Sequence, residues 1–292
     1  MMDFVSKRPI YKGLSVDQKF RVRDCYGEEY LLRIAPMECY QRRKQDYDYT
    51  RRFLSLGIPM CQPLEFGICD EGVYSIQRWI EGVDLQEFLP LLSYDRQYAC
   101  GIEAGRALNR LHNLPVPEHL DNWELVFRQE TEAIIEHYLK STLQFPNAPT
   151  LIDFIQKNID YVTNRPRVYL HGDYHVGNLI HGDNDTLYII DFSSGICSDP
   201  WKDFGCIPVS ASKFPGFASG MIDGYFDGEI PAQFWMLLAV YTCCQTLNFF
   251  TSLRRIQNLK YQQNILTLAE NMLHWYDNMH FAIPTWYQPI QI

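Results

Sequence analysis

The sequence has no long apolar run, no paired-cysteine motif, no low-complexity tract and no internal repeat. The longest apolar block, residues 234–241, is far too short to span a bilayer, and the opening MMDFVSKRPIYKG has no signal-peptide core. A soluble, cytoplasmic protein with no membrane partner is therefore expected. The nine cysteines, at 25, 39, 61, 69, 100, 197, 206, 243 and 244, are odd in number, scattered and without a CxxC pair. They read as reduced, mostly buried thiols rather than a disulfide framework. The adjacent Cys243 and Cys244 point apart on a helix.

What is present argues for a large folded core. Hydrophobic residues make up 47% of the 292, with 17 Phe, 19 Tyr and 6 Trp, which argues against disorder. That length fits one large domain or two lobes sharing a cleft. Charge is uneven: residues 1–80 carry 13 Lys+Arg against 11 Asp+Glu, and residues 81–292 carry 13 against 24, a balance of −11. Such a field repels nucleic acid, so no nucleic-acid partner is expected, and it favours a cationic one while also serving solubility.

Residues 10–34 read as an antiparallel start, with a KGLSVDQ turn and a Tyr26-Gly27 turn. Period-two geometry places Tyr30, Leu32 and Ile34 on one face and Leu31 with Arg33 on the other, where a solvated edge would suit Arg33. Pro36 opens a helix that Gly57 closes. On it Asp46 stacks with Thr50 and Phe53 and faces inward, Asp48 lies on a polar line, and Arg42-Arg43-Lys44 with Arg51-Arg52 reads as a solvated face. Strands follow at 62–68 and 73–80, then Glu81-Gly82 ends the strand-rich part. Asp84 with Glu87 resembles a helix N-cap, and helical patterns run at about 94–113, 123–143, 149–162, 213–226, 231–252 and 260–280. The expected fold is α+β, a small antiparallel-sheet lobe at 1–82 and a large, mainly helical lobe at 83–292.

The stretch 169–191, YLHGDYHVGNLIHGDNDTLYIID, interrupts the helices with a polar hairpin. It collects His171, Asp173, Asn178 and Asp191 on short strands and turns. Asp173 can face a substrate while the Asn178 amide oxygen turns to a cation, which Asp191 meets from the other side. Two hard oxygens with several waters suit Mg2+ bound to nucleotide phosphates. Phosphoryl transfer needs positioning and charge neutralisation more than a strong base, so an aspartate serves. A second reading, a transition-metal hydrolase using His171, Asp173, His175, His181 and Asp191, lacks HExxH or HxHxDH spacing. A purely structural reading leaves Asp191 after Leu187-Tyr188-Ile189-Ile190 unexplained, because a buried charge is costly.

With these residues in place, the chain resembles the aminoglycoside phosphotransferase family, whose fold is similar to that of protein kinases. The match rests on His171-Gly172-Asp173, Asn178 and Ile190-Asp191-Phe192 in type, order and spacing, and it covers nearly the whole chain. The resemblance implies a bilobal protein-kinase-like fold, Asp173 as the catalytic aspartate, and Asn178 and Asp191 as Mg2+ ligands. It also implies ATP or GTP as phosphate donor. Gly13-Leu14-Ser15 resembles the phosphate-covering turn, with Gly13 and Ser15 at the phosphates, and the backbone at Arg78 and Ile80 resembles the hinge that binds the base. His171 and Asp203 resemble residues that brace the catalytic loop. Arg33 stands where many members have lysine, with Asp46 its expected partner in place of a glutamate and Glu38 or Asp48 as alternatives. There is no GxGxxG, and Phe192-Ser193 replaces Phe-Gly.

The acceptor pocket is expected over Asp173, beside the helices after 213, with Asp223, Asp227, Glu229, Tyr276, Asp277 and the C-terminal carboxylate as candidate partners for ammonium groups. Each of these acids also reads as surface. Trp235, Phe249, Phe250 and Trp275 read as core. The function implied is a Mg2+-dependent kinase of a small hydroxyl-bearing, cationic molecule such as an aminoglycoside. The alternatives are a choline-like, sugar, amino-acid-derived or macrolide acceptor, or a catalytically weak nucleotide-binding module.

Overall fold

A computed structural model describes residues 2–13, 15–119, 122–192, 197–252 and 259–290. Leu14, Ser193 and the C-terminal carboxylate lie outside the described residues.

Alternation builds the first sheet. β1 (Ser6–Ile10), β2 (Gln18–Arg23) and β3 (Glu29–Ala35) precede α1 (Tyr40–Phe53), and β4 (Pro63–Cys69) and β5 (Gly72–Arg78) complete an antiparallel sheet of order β1-β2-β3-β5-β4. β1 lies before the expected start at residue 10 and ends there, and its Pro9 suits an edge strand. The register sets Val22 opposite Tyr30, and Leu32 and Ile34 opposite Ile76 and Tyr74, so one face closes into a buried cluster. The other face of β2 and β3 carries Lys19 directly opposite Arg33.

α1 is entered through a tight turn, Met37–Cys39, after Pro36, and is extended by Leu54–Leu56 to Gly57. Asp46 does lie on the inward side with buried Thr50 and Phe53, and Asp48 is exposed. The basic run is not uniformly solvated. Arg43 binds the buried Asp17 at 2.7 Å and Asp46 at 2.9 Å, which ties α1 to the β1–β2 turn.

β6 (Gly82–Asp84) begins at the expected boundary but pairs with a later hairpin, and α2 (Leu85–Phe88) is a single turn. The Asp84 side chain makes no cap there; it pairs with Lys12. α3 (Tyr94–Leu111), α4 (Trp123–Leu139) and α5 (Ala148–Asn158, extended by Ile159–Val162) follow. Then come β7 (Val168–Tyr169), β8 (Leu179–Gly182), β9 (Leu187–Ile189) and β10 (Cys197–Ser198), in sheets β6-β8-β9 and β7-β10. The chain finishes with α6 (Ile207–Ala211), α7 (Pro215–Phe226), α8 (Ala232–Ser252) and α9 (Leu259–Trp275). α9 stops short of 280 because Asp277, Asn278 and Met279 take left-handed φ values of 44°, 53° and 67° and reverse the chain.

Two contacts position the site. α3 and α7 cross so closely that a Cβ on Gly220 would lie 2.1 Å from the Tyr98 carbonyl, and one on Gly105 2.1 Å from that of Met221. One buried cluster runs through both lobes, joining Tyr49, Phe53 and Met60 to Tyr169, Tyr174 and Phe192. Phe192 stacks on Phe53 at 5.0 Å and contacts His171 at 4.7 Å, which couples α1 to the polar hairpin. Among the described residues, no helix is long and apolar enough to cross a membrane.

Candidate active site

The loop between β7 and β8 is suspended from one buried carboxylate. Asp203, 3% exposed, accepts the backbone N–H groups of His171 and Gly172, both at 2.8 Å. His112, at the end of α3, meets it through Nε2 at 3.0 Å, and the Tyr225 hydroxyl of α7 lies 2.9 Å from His112 Nδ1. A buried charge with this many partners is stable in place and costly to disturb. Gly172 takes φ 85°, which lets two successive N–H groups turn to the same carboxylate. The Tyr174 hydroxyl donates to the Ala104 carbonyl of α3, and that of Tyr49 donates to the Leu170 carbonyl at 2.6 Å. The loop thus stands on the α3–α7 crossing and is anchored to α1.

His171 is fully buried and spends both ring nitrogens internally. Nδ1 accepts from the Asp173 N–H at 3.2 Å, and Nε2 donates to the Ile190 carbonyl at 2.9 Å. This is the neutral tautomer, in keeping with burial, which lowers its pKa. His171 is therefore a brace between loop and β9, with no nitrogen left for a metal. His181 stacks on Phe88 at 3.8 Å, so the transition-metal cluster is not assembled, and no such group occurs among the described residues.

Asp173 presents a carboxylate whose side chain is 45% exposed. Asn178 Nδ2 donates to its Oδ2 at 2.9 Å and to its backbone carbonyl at 2.8 Å. His175 Nε2 lies 3.4 Å from Oδ1, and the Cys206 thiol donates to Oδ1 at 3.6 Å. Burial alone would raise its pKa, but the His175 and Asn178 contacts prevail and hold it at about 2. Burial and the neighbouring carboxylate push the Cys206 thiol well up, so it remains a donor.

Asp191 follows β9 in the left-handed region at φ 63°. Such a conformation costs about 1 kcal/mol or more and clusters at functional positions. Its Oδ1 accepts from the Arg33 guanidinium at 2.8 Å, and this cation outweighs burial to lower its pKa. Arg33 is thus not on a solvated edge but faces the hairpin. Its partner is Asp191 rather than Asp46, Glu38 or Asp48, because Asp46 is taken by Arg43 and Asp48 by Lys44.

Of the other expected residues, Gly13 has φ 97°, and the Ser15 hydroxyl accepts the Asp17 N–H at 3.0 Å. Arg78 does not offer its N–H to a base: it donates to the Gln62 carbonyl, and its side chain reaches Glu28. The Trp79 N–H goes to the Glu29 carbonyl, whereas the N–H of Ile80 makes no hydrogen bond among the described residues.

The candidate acceptor acids are dispersed rather than gathered over Asp173. Asp223 accepts the hydroxyls of Tyr98 and Tyr287. Asp227 pairs with Arg106 at the rim of a cavity of about 700 Å³ that Arg110 and Asp185 also line. Glu229 is exposed, Tyr276 is 1% exposed in the core, and Asp277 pairs with His280 beside a separate cavity lined by Phe145 and His274. His112, Cys206 and Lys19 were not singled out from sequence; His112 meets Asp203 across 91 residues, and no local pattern signals that.

A family model for the APH phosphotransferase enzyme family matches residues 8–235. No curated protein matches the chain. Among solved structures, the aminoglycoside phosphotransferase APH(4)-Ia superposes with a TM-score of 0.72 at 16% identity, covering 93% of this chain and 94% of that one. A choline/ethanolamine kinase family protein from Mesorhizobium loti gives 0.65 at 17%, covering 94% and 91%. The spectinomycin phosphotransferase APH(9)-Ia, in complex with ADP and spectinomycin, gives 0.62 at 14%, covering 98% and 89%. These likenesses identify the same bilobal fold.

Proposed function

The chain belongs to the APH phosphotransferase enzyme family and is a kinase acting on hydroxyl groups, and from that premise we propose that it moves the terminal phosphoryl group of ATP or GTP to a small cationic alcohol, with Asp173 orienting the attacking hydroxyl. The observation that carries the reading is the Asp173 carboxylate: ionised, partly open to solvent, and clamped by Asn178 and His175 on a loop hung from buried Asp203. The acceptor O–H donates to Asp173, its oxygen attacks the γ-phosphorus, the bond to the β-phosphate bridging oxygen breaks, and the proton passes late to the carboxylate. A weak base suffices because the transition state is loose. His171 stays neutral and keeps the loop in register with β9.

Asn178 and Asp191 are the residues that would hold Mg2+. Both N–H groups of the Asn178 amide are spent on Asp173, which leaves its oxygen as acceptor, and Asp191 keeps Oδ2 beyond the Arg33 contact. Two hard oxygens fit that ion. When bound, it would neutralise charge on the phosphates. In this reading the Ile80 backbone, whose N–H makes no hydrogen bond among the described residues, would bind the base, and the turn at Gly13 and Ser15 would cover the phosphates. The balance of −11 in residues 81–292 supports a cationic acceptor such as an aminoglycoside. Choline-like compounds, sugars, amino-acid derivatives and macrolides are the alternatives to be sorted by assay.

The test is nucleotide consumption with Mg2+ across panels of aminoglycosides, macrolides and metabolites, with Asp173→Asn as comparison. At least one acceptor should turn over, and the variant should lose about 10²- to 10⁴-fold in kcat with unchanged nucleotide affinity. An unchanged kcat would remove Asp173 from the reaction. Binding of Mg-nucleotide without turnover of any acceptor would favour a nucleotide-binding module instead.

A further inference from the structure

Two cations face each other under the turn at Gly13. Lys19 on β2 lies directly opposite Arg33 on β3, and both project from the face that looks toward Asp191. Like charges directly opposite in a sheet destabilise it. Neither cation is fully satisfied. Lys19 is half-buried, and its ammonium, with three donors, gives one hydrogen bond, to the Lys12 carbonyl at 3.3 Å. It has no ion-pair partner among the described residues. Arg33 spends one nitrogen on Asp191, and its Nε is buried without a partner.

The turn is shaped around the lysine. Gly13 has φ 97°, and a Cβ there would lie 2.7 Å from Lys19 Nζ, so any side chain at 13 would push the ammonium aside. The carboxylates nearby are engaged elsewhere: Asp17 holds Arg43, and Asp191 holds Arg33. Burial and the facing Arg33 lower the pKa of Lys19, and Asp191 and Asp17, which act the other way, do not supply enough negative charge to offset them. A polyphosphate entering beneath the turn would supply it.

We propose that Lys19, a strand away from the expected position, is the cation that grips the nucleotide polyphosphate, while Arg33 holds Asp191 in place. This deepens the kinase reading and rests on it. The division of labour follows from shape: a compact, mobile ammonium suits phosphate oxygens of variable position, and the fixed guanidinium fork suits a carboxylate. It also explains how the chain manages with arginine on β3. The like-charged pair is kept despite its cost to the sheet because the ligand resolves it.

The proposal is tested by calorimetric titration of ATP, ADP, AMP and adenosine, and of the guanosine series, with and without Mg2+. Lys19→Met should weaken di- and triphosphate binding about tenfold to a hundredfold, and leave the nucleoside unchanged. Lys19→Arg should restore most of the affinity. The unliganded melting temperature of Lys19→Met should hold or rise, since a like-charge contact is removed; a purely structural lysine would lower it. Arg33→Met should affect Mg2+-dependent binding more than binding without metal. If Lys19→Met binds triphosphate within threefold of wild type, or loses nucleoside and triphosphate alike, Lys19 does not grip phosphate and the kinase reading stands. If the wild-type protein binds no nucleotide, both fall.

Discussion

Below the cleft, the loop carrying Asp173 hangs from Asp203, whose side chain is wholly buried and shared among two backbone N–H groups and His112. Above it, the Gly13 end of the β1–β2 turn is held by ion pairs that reach the surface, Lys12, with a side chain 50% exposed, to Asp84 and Glu87, while its far end is tied to α1 by the buried Asp17 and Arg43. Buried networks have one low-energy geometry and cost several kcal/mol to break. Exposed pairs contribute about 0–1 kcal/mol, are screened by salt and can exchange partners. The floor is therefore fixed by burial, whereas the Gly13 end of the roof rests on pairs of the weaker kind, and in the kinase reading proposed above that end is the part that would move over a nucleotide. That is a sensible division for phosphoryl transfer, where the attacking hydroxyl must be aligned and the donor must enter and leave.

The comparison is most exposed to failure at Asp203. Asp203→Ala strands the two N–H groups and His112, and should cost about 3–5 kcal/mol of stability, read by urea unfolding. A loss below about 1 kcal/mol would erase the contrast between floor and roof. The next largest effect is expected at the crossing beneath the floor. Gly220→Ala places a methyl against the Tyr98 carbonyl, where it would lie 2.1 Å away, and should cost about 1–3 kcal/mol by the same measurement. A neutral result would mean that α3 and α7 can part without consequence for the loop.

The smallest effect belongs to the sheet of the small lobe, at the end of β2 and β3 away from the Gly13 turn. The hydrogen bond from Arg21, opposed by burial and helped by Arg23, holds the Glu29 carboxyl at about 2, below its ordinary 4.5. The folded state therefore binds that proton less tightly than the unfolded chain. Its contribution is whole above pH 4.5 and is lost as pH falls through about 2. Glu29→Gln should lower stability by at most about 1 kcal/mol. The gap from wild type should stay constant from about pH 7 to about pH 5, then narrow in acid. A gap that widened in acid would reverse the assignment.

Much of the floor was legible because its parts are close in sequence. Asp173 and Asn178 sit five residues apart, Asp191 ends a neighbouring strand, and a short hairpin leaves few ways to arrange them. The strand faces of β3 were legible for the same reason, since alternation needs no tertiary knowledge. The glycine spacings at 101 and 105, and at 216, 220 and 224, were also open to view as close-packing signals. These glycines are what let α3 and α7 touch.

The partners of the charges were not legible. Arg33 was matched to Asp46 by analogy of position, yet it meets Asp191 across 158 residues, while Asp46 is held three residues away by Arg43. The acids of the last helices looked like one bed because they share a sign and a region, and the reversal at 277–279 and the pairing of Asp227 with Arg106 separate them.

By itself the sequence determined the order of the sheet-rich and helical lobes, most of the long helices and the polar hairpin with the side chains it gathers, because strand period, helix period and short-loop geometry act over a few residues. Only the tertiary structure decided which charge meets which, how His112 and Asp203 carry the loop, and that Lys19 faces Arg33. Those outcomes depend on distances between segments far apart along the chain, and electrostatic interaction follows separation in space and burial, not separation in sequence.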